Sequence, residues 1–199
     1  MNQDWNDFAL ILIDVQHGCW SSHTQLAFPG FSANLASLLS LCRKNKIEVI
    51  HLRTEYQADK SDWMPFEKLG MPVSCIQGTQ AVEFLDFANP VRGETVITKN
   101  AIDGFTQLEL DQTLKRKGKK FLLLSGLNTS VCVLFTVVSA VQKGYLTALV
   151  EDCCADWSLK AHSFTFAHYA NYLFKTTCVS DIQHRYTAWC TLIQQLGRG

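Results

Sequence analysis

Short apolar runs alternate with longer amphipathic stretches along most of the chain, and this alternation is the strongest structural signal in the sequence. The apolar runs predict six strands: Phe8–Ile13, Glu48–Leu52, Thr95–Thr98, Phe121–Leu124, Leu146–Val150 and Leu173–Val179. The amphipathic stretches predict five helices: Ser32–Lys46, Leu108–Lys117, Ser130–Lys143, Lys160–Tyr172 and Asp181–Leu196. Because strands and helices alternate, we expect an α/β fold with a parallel sheet and helices on both of its faces.

The segment Tyr56–Pro90 departs from this alternation. It contains several prolines and glycines and shows little periodicity. Long irregular insertions in α/β domains are more often functional than idle, so we expect this segment to border a binding site. The chain has 199 residues, which predicts one domain spanning residues 1–199.

The composition limits the classes of partner. Lys and Arg together number 18, the same as Asp and Glu, so we expect neither a nucleic-acid surface nor a membrane surface. No apolar run approaches the length of a transmembrane helix, and the first residues are acidic and polar, unlike a secretory signal. We therefore expect a cytoplasmic protein that acts on a small molecule.

Cys132 is the most informative of the eight cysteines. It lies between the predicted strand Phe121–Leu124 and the predicted helix Ser130–Lys143, where free backbone N–H groups and the helix dipole favour a thiolate. The chain has no C-x-x-C pair and no zinc-like spacing of Cys and His. The other seven cysteines are therefore interpreted as reduced, mostly buried side chains.

Two more reactive side chains follow predicted strands. Asp14 follows the first strand and Lys99 the third. Either could be structural, Asp14 as a cap or turn residue and Lys99 as a solvated strand end. Ligands of open parallel sheets bind beyond the carboxyl ends of the strands, so Asp14, Lys99 and Cys132 together predict a catalytic group. In this hypothesis the thiol attacks a carbonyl, the carboxylate takes its proton, and the lysine stabilises the anions.

With these motifs, the sequence resembles the isochorismatase-like cysteine hydrolase superfamily, which includes nicotinamidases, N-carbamoylsarcosine amidases, ureidoacrylate and biuret hydrolases, and isochorismatases. The resemblance runs from about Phe8 to Val179. The motifs that carry it are Leu12–Gln16, Thr98–Phe105 and Gly126–Val133, with further matches at Cys75–Thr79, Ala140–Tyr145, Glu151–Ala155 and His162.

The resemblance implies a single-domain, three-layer αβα sandwich with a six-stranded parallel sheet. It also implies an Asp14–Lys99–Cys132 triad, a cis peptide bond at Leu127–Asn128, and an oxyanion hole from the N–H groups of Asn128 and Cys132. A homo-oligomer, dimer or tetramer, is expected on the same ground. Aromatic and apolar side chains usually line the pocket in this family, and the candidates for substrate binding are Trp20, Tyr56, Trp63, Phe105, Asn128 and Phe135.

The sequence departs from the nicotinamidases at one motif. Those enzymes carry an Asp-x-His metal motif after the second strand, whereas Arg53–Asp59 contains no histidine. We therefore predict no metal and no cofactor, and a hydrolase that cleaves a C–N bond of a small amide, ureide or carbamoyl compound through a thioester at Cys132. The alternatives are a vinyl-ether hydrolase that uses Asp14, a non-catalytic protein that acts in protein association, and a redox-sensing thiol.

Overall fold

The computed structural model describes residues 3–197 and contains one six-stranded sheet. The strands are β1 (Phe8–Ile13), β2 (Glu48–Thr54), β3 (Thr95–Lys99), β4 (Phe121–Leu127), β5 (Leu146–Ala155) and β6 (Lys175–Thr177). All neighbouring strands pair in parallel, in the order β3-β2-β1-β4-β5-β6. The predicted parallel sheet is confirmed.

Helices cover both faces of the sheet. They are α1 (Ser22–Ala27), α2 (Phe31–Lys44), α3 (Pro65–Lys68), α4 (Leu108–Arg116), α5 (Leu134–Gln142), α6 (Leu159–Tyr169) and α7 (Ile182–Leu196). No helix within residues 3–197 is long and apolar enough to cross a membrane.

The two faces of β1 divide the core into two apolar clusters. Phe8 and Leu10 face the cluster that contains side chains of α2 and α7. Ala9 and Ile11 face the cluster that contains side chains of α4, α5 and α6. Because successive side chains of a strand point to opposite faces, a strand that is apolar throughout must lie between two helical layers. The structure is thus the expected three-layer sandwich.

Several element boundaries differ from the prediction. β6 covers only Lys175–Thr177, and α6 ends at Tyr169 because the chain turns at Asn171, which has a left-handed backbone. The predicted helix Ser130–Lys143 is in fact a π-helical turn, Thr129–Val133, followed by α5. Short α1 was not predicted, since its six residues are too few to show helical periodicity.

The irregular segment Tyr56–Pro90 packs beside the carboxyl ends of β1 and β2. A parallel bridge joins Tyr56 to Ile76, and an antiparallel bridge joins Gln16, just after β1, to Phe84. Apart from α3 and short 3-10 turns, the segment has no regular structure. Its position agrees with the expectation that it borders a site.

Candidate active site

The candidate site lies where the strand order reverses. β1 and β4 are adjacent, and the chain leaves them toward opposite edges of the sheet. Such a switch point leaves a crevice beyond the strand ends, where α/β proteins bind ligands. Asp14 follows β1, and Cys132 follows β4 by five residues. Gly126 permits this approach, because a Cβ at this position, where φ is 128°, would collide with the backbone of Ile13.

Asp14 and Lys99 form a buried ion pair. Lys99 Nζ lies 2.8 Å from Asp14 Oδ2, and each side chain is only 1% exposed. Asp14 has a left-handed backbone, with φ of 52°, which Asp adopts more readily than most residues. The structure therefore brings together two residues that the sequence predicted at the ends of the first and third strands, on either side of β2.

Thr54, the last residue of β2, joins the two charges. Its hydroxyl accepts a hydrogen bond from Lys99 Nζ at 2.7 Å and donates one to Asp14 Oδ1 at 2.9 Å. Gln16 holds the Thr54 backbone from both sides, since its side chain accepts from Thr54 N and donates to Thr54 O, both at 2.8 Å. Sequence reasoning missed Thr54 and Gln16, whose polar positions at strand ends were the available signal.

Lys99 is fully engaged by acceptors. Besides Asp14 and Thr54, its ammonium donates to the carbonyl of Ala101 at 2.9 Å. Burial by itself would lower the pKa of Lys99, but the charges of Asp14 and Cys132 raise it above its usual value. The lysine is therefore a fixed cation and not a base.

Cys132 lies within the π-helical turn with its sulfur beside Asp14. Burial raises the pKa of the Cys132 thiol well above its usual value, and the charge of Asp14 and a hydrogen bond to it raise it further, while Lys99 and the backbone N–H of Asn128 lower it. Burial beside a carboxylate thus opposes the helix start, which by itself favours a thiolate. The resting group is a thiol that faces its proton acceptor.

The turn that carries Cys132 is anchored from β5 and α6. Thr129 donates to the carbonyl of Ala155 at 3.1 Å and its hydroxyl is 2.9 Å from His162 Nδ1. The backbone N–H of Ser130 donates to Asp156 Oδ2 at 2.7 Å. Through these contacts Asp156 and His162 support the turn. The Leu127–Asn128 peptide bond that precedes this turn is cis.

The candidate substrate-binding residues do not all meet at the site. The pKa of Tyr56 is raised by burial, by Glu67 and by the charges of Cys132 and Asp14, which places the phenol near the reactive groups. By contrast, the Trp20 ring packs on Phe31 in the core, with ring centroids 4.8 Å apart.

The other three aromatic candidates lie elsewhere. Phe105 is 6% exposed and stacks on Tyr145 in the core. Phe135 is half exposed on the outer side of α5. Trp63 is partly exposed, and its indole N–H donates to the carbonyl of Gln57 at 2.8 Å.

Two cavities flank the triad. One, of about 260 Å³, opens beside Asn128 and is lined by Gly18, Cys19, Ser21, Thr24, Ser74, Asn128 and Trp157. The other, of about 210 Å³, reaches Lys99 from the side of β3. A larger cavity of about 490 Å³ lies between α2 and Gln183, away from these groups. Trp157, which follows the end of β5, is a lining aromatic that sequence reasoning missed.

Comparison with known proteins identifies the family. The Isochorismatase domain family matches residues 8–181. The chain belongs to the isochorismatase family. It is 30% identical to maleamate amidohydrolase of Pseudomonas putida over 155 residues, which cover 74% of this chain and 72% of that protein. It is 25% identical to ureidoacrylate amidohydrolase of Variovorax paradoxus over 171 residues, which cover 74% of this chain and 68% of that protein.

Solved isochorismatase-family structures share the fold. A cysteine hydrolase from Pseudomonas syringae pv. phaseolicola aligns with a TM-score of 0.83 at 18% identity, covering 94% of this chain and 96% of that one. The predicted resemblance and the predicted α/β fold are thus both confirmed. The expected enzyme class, a hydrolase of C–N bonds, agrees with the amidohydrolases among the relatives.

The family includes nicotinamidases, but the present sequence lacks the Asp-x-His metal motif of those enzymes. Within residues 3–197, no group of three or more His, Cys, Asp or Glu side chains could hold a metal ion. His51, which follows no ligand spacing in the sequence, hydrogen-bonds through Nε2 to Glu94 at 2.9 Å. The absence of a metal and of a cofactor stays a prediction.

Proposed function

We propose that this isochorismatase-family protein is a metal-independent cysteine hydrolase that cleaves a C–N bond of a small amide, ureide or carbamoyl compound. The single observation that carries the proposal is the Cys132 thiol set against the Asp14 carboxylate, which Lys99 and Thr54 hold in place. A nucleophile, a proton acceptor and a fixed cation are the parts that acyl transfer needs.

In the first half of the reaction, Cys132 attacks the carbonyl carbon while Asp14 accepts the thiol proton. The transfer occurs with attack because the resting sulfur is protonated. Negative charge then develops on the carbonyl oxygen, and the backbone N–H groups of Asn128 and Cys132 are the proposed donors to it. Asp14 returns the proton to the departing nitrogen, so ammonia or an amine leaves and a thioester remains on Cys132.

In the second half, Asp14 is again a carboxylate and takes a proton from water, which attacks the thioester carbonyl. Collapse of the second tetrahedral intermediate releases the acid and restores the thiol. Lys99 holds the carboxylate in place through the 2.8 Å ion pair and moderates the negative charge near the sulfur. The hydroxyl of Thr54 fixes the carboxylate orientation, because it bonds the oxygen that Lys99 does not.

The substrate is proposed to enter through the cavity of about 260 Å³ beside Asn128. Its volume admits a small molecule and excludes a folded polymer, which agrees with the expectation of a small amide or ureide. Asn128 would contact the substrate with its side chain, and Tyr56 would border the reacting carbonyl. A homo-oligomer and a cytoplasmic location remain predictions.

The test is an ammonia-release screen over small amides, ureides and carbamoyl compounds with the wild type, Cys132→Ala and Cys42→Ala. Cys42 is a fully buried thiol on α2 and serves as the matched control. We expect release by the wild type and by Cys42→Ala and none by Cys132→Ala. Equal release by Cys132→Ala would contradict the thioester route, and activity of that variant on a vinyl ether would favour the Asp14 alternative.

A further inference from the structure

A second pair of thiols lies beside the triad and has no part in the proposed hydrolysis. Cys19 Sγ is 3.9 Å from Cys75 Sγ. Cys19 ends a 3-10 turn that begins three residues after Asp14, and Cys75 belongs to the irregular segment Tyr56–Pro90. A disulfide requires an S–S distance of about 2.05 Å, so rotation of the two side chains need close a gap of only about 1.9 Å.

The backbone around this pair is specialised. A Cβ at Gly18 would lie 2.7 Å from Cys75 Sγ, so only glycine lets the turn approach the thiol this closely. Cys75 itself has a left-handed backbone, with φ of 58°, which is uncommon for a cysteine. Two unusual backbone positions thus accompany the contact between the sulfurs.

The two thiols differ in their hold on a proton. A hydrogen bond from Cys19, which outweighs burial, lowers the pKa of Cys75, with help from the charge of Lys99. The same hydrogen bond raises the pKa of Cys19, as do burial and the charge of Asp14. As a thiol, Cys75 donates to the carbonyl of Ala81 at 3.3 Å, and as a thiolate it accepts from Cys19. Geometry decides which sulfur an oxidant reaches first: Cys19 is partly exposed and lines a cavity, whereas Cys75 is fully buried.

We propose that Cys19 and Cys75 are a redox-active dithiol that a hydroperoxide converts to a disulfide. The Cys19 sulfur attacks the peroxide oxygen, breaks the O–O bond and becomes a sulfenic acid, while the other oxygen takes the thiol proton and leaves as water. Cys75, at 3.9 Å, then attacks the sulfenic sulfur, and its thiol proton leaves with the hydroxyl as a second water. With hydrogen peroxide, two thiols and one peroxide yield one disulfide and two waters, and the sulfurs supply both electrons.

The 260 Å³ cavity gives the oxidant access, since Gly18, Cys19 and Ser74 line it. The disulfide would join the turn that follows Asp14 to the segment that contains Cys75. The backbone carbonyl of Cys75 accepts a hydrogen bond from the N–H of Tyr56 at 2.9 Å. Oxidation would thus tie two walls of the site together without consuming the nucleophile.

The experiment treats the whole protein with a small excess of hydrogen peroxide and measures intact mass and cysteine-containing peptides. We expect loss of two hydrogen atoms, a Cys19–Cys75 cross-linked peptide, and full reversal by dithiothreitol. Cys19→Ser and Cys75→Ser should not lose the hydrogens, whereas Cys178→Ser, which alters another partly exposed thiol, should behave as the wild type.

Three results would overturn the proposal: a cross-link that involves Cys132, oxidation of Cys132 to a sulfinic acid while Cys19 and Cys75 remain free thiols, or no mass loss at excess peroxide. If the serine variants do not fold, alkylation of wild-type thiols before and after oxidation gives the same answer, because only the peptides of Cys19 and Cys75 should lose their label. None of these measurements depends on hydrolysis. The dithiol proposal can therefore be disproved while the proposed hydrolase activity holds, and the hydrolase activity can be disproved while the dithiol proposal holds.

Discussion

Strand β2 contributes a residue to each of two charged clusters, and only one of them has the parts of a catalyst. Near the middle of the strand, the fully buried His51 hydrogen-bonds to Glu94, which also accepts from Arg43 at 2.8 Å. At the carboxyl end, Thr54 joins Asp14 to Lys99. Both clusters contain a carboxylate, a cation and a third polar group, but Asp14 is fully buried whereas Glu94 is partly exposed.

The clusters differ in what lies beside the carboxylate. Glu94 Oε2 also accepts a hydrogen bond from the backbone N–H of Val91 at 3.0 Å. The carboxylate of the first cluster is therefore occupied by hydrogen bonds from the protein. Asp14 instead faces the Cys132 thiol. A buried ion pair is in general a poor stabiliser, since desolvation offsets much of the attraction. A cluster of charges therefore does not by itself indicate a catalytic site, and the proposal for Asp14 rests on the protonated nucleophile beside it at a switch point.

Asp14→Asn should show the largest effect. Loss of a positioned proton acceptor lowers kcat/KM on the order of 10³-fold. The matched variant in the other cluster, Glu94→Gln, should keep kcat/KM of the wild type within about threefold, because surrounding structure and not the reacting atoms is altered. Steady-state kinetics on a substrate from the ammonia-release screen checks both. Comparable losses in the two variants would erase the functional distinction between the clusters.

Glu94→Gln should instead lower stability. The change replaces charge-assisted hydrogen bonds from Arg43 and His51 with neutral ones, which costs about 1–3 kcal/mol of unfolding free energy. Urea unfolding followed by circular dichroism measures this loss. Leu196→Gln, an exposed apolar position at the end of α7, is the control that should leave the midpoint unchanged. An unchanged midpoint in Glu94→Gln would show that this cluster has no structural role.

Thr54→Val should have a smaller effect on catalysis. Valine keeps the shape of threonine but removes the hydroxyl between Asp14 and Lys99, and we expect kcat to fall about tenfold, the equivalent of one hydrogen bond. Thr54→Ser keeps a hydroxyl and should restore most of the rate, with KM nearly constant in both variants. A change confined to KM would move Thr54 from orienting the carboxylate to binding the substrate.

The smallest expected effect is in the pH dependence of stability. The pKa of Glu94 is lowered from 4.5 to about 2, because the hydrogen bonds from Arg43, Val91 and His51 outweigh burial. A lowered carboxyl pKa means that the folded form holds the proton less tightly, so the stabilisation is full above pH 4.5 and is lost as the pH falls toward 2.

His51 acts in the same direction. Burial lowers the pKa of His51 from 6.5, even though Glu94 raises it, so the imidazole stays neutral and donates through Nε2. Protonation on unfolding therefore lowers stability as the pH falls below about 6.5. Urea midpoints from pH 7 to 3 should fall for the wild type and fall less for Glu94→Gln. Parallel curves for the two proteins would assign the acid sensitivity to other groups.

The sequence was sufficient to predict the architecture and the proximity of Asp14, Lys99 and Cys132. The strand ends before Asp14 and Lys99 were marked by apolar runs, and a parallel sheet must bring such ends to one edge. Thr54 escaped prediction because a threonine at a strand end has no distinctive pattern. The protonated state of Cys132 also escaped, since it depends on burial against Asp14, a distance that sequence spacing does not encode.

The pocket walls were the least predictable part. Phe105 and Phe135 flank the motifs of Lys99 and Cys132 in sequence, yet one lies in the core and the other on the surface. Trp157 lines the cavity beside Asn128, although it lies far in sequence from the motifs of Lys99 and Cys132. The direction of a side chain at a turn depends on tertiary packing. The order of strands along the chain follows from hydrophobic periodicity, which can be read from the sequence.

The most direct test of the proposed thioester mechanism is a mass spectrum of the protein quenched in acid during turnover, with Cys132→Ala measured alongside. With this mechanism, we expect the Cys132 peptide to gain the acyl part of the substrate without its leaving amine. The Cys132→Ala variant should show neither adduct nor turnover. Turnover by Cys132→Ala at the wild-type rate, or an acyl group carried on another residue, would contradict it.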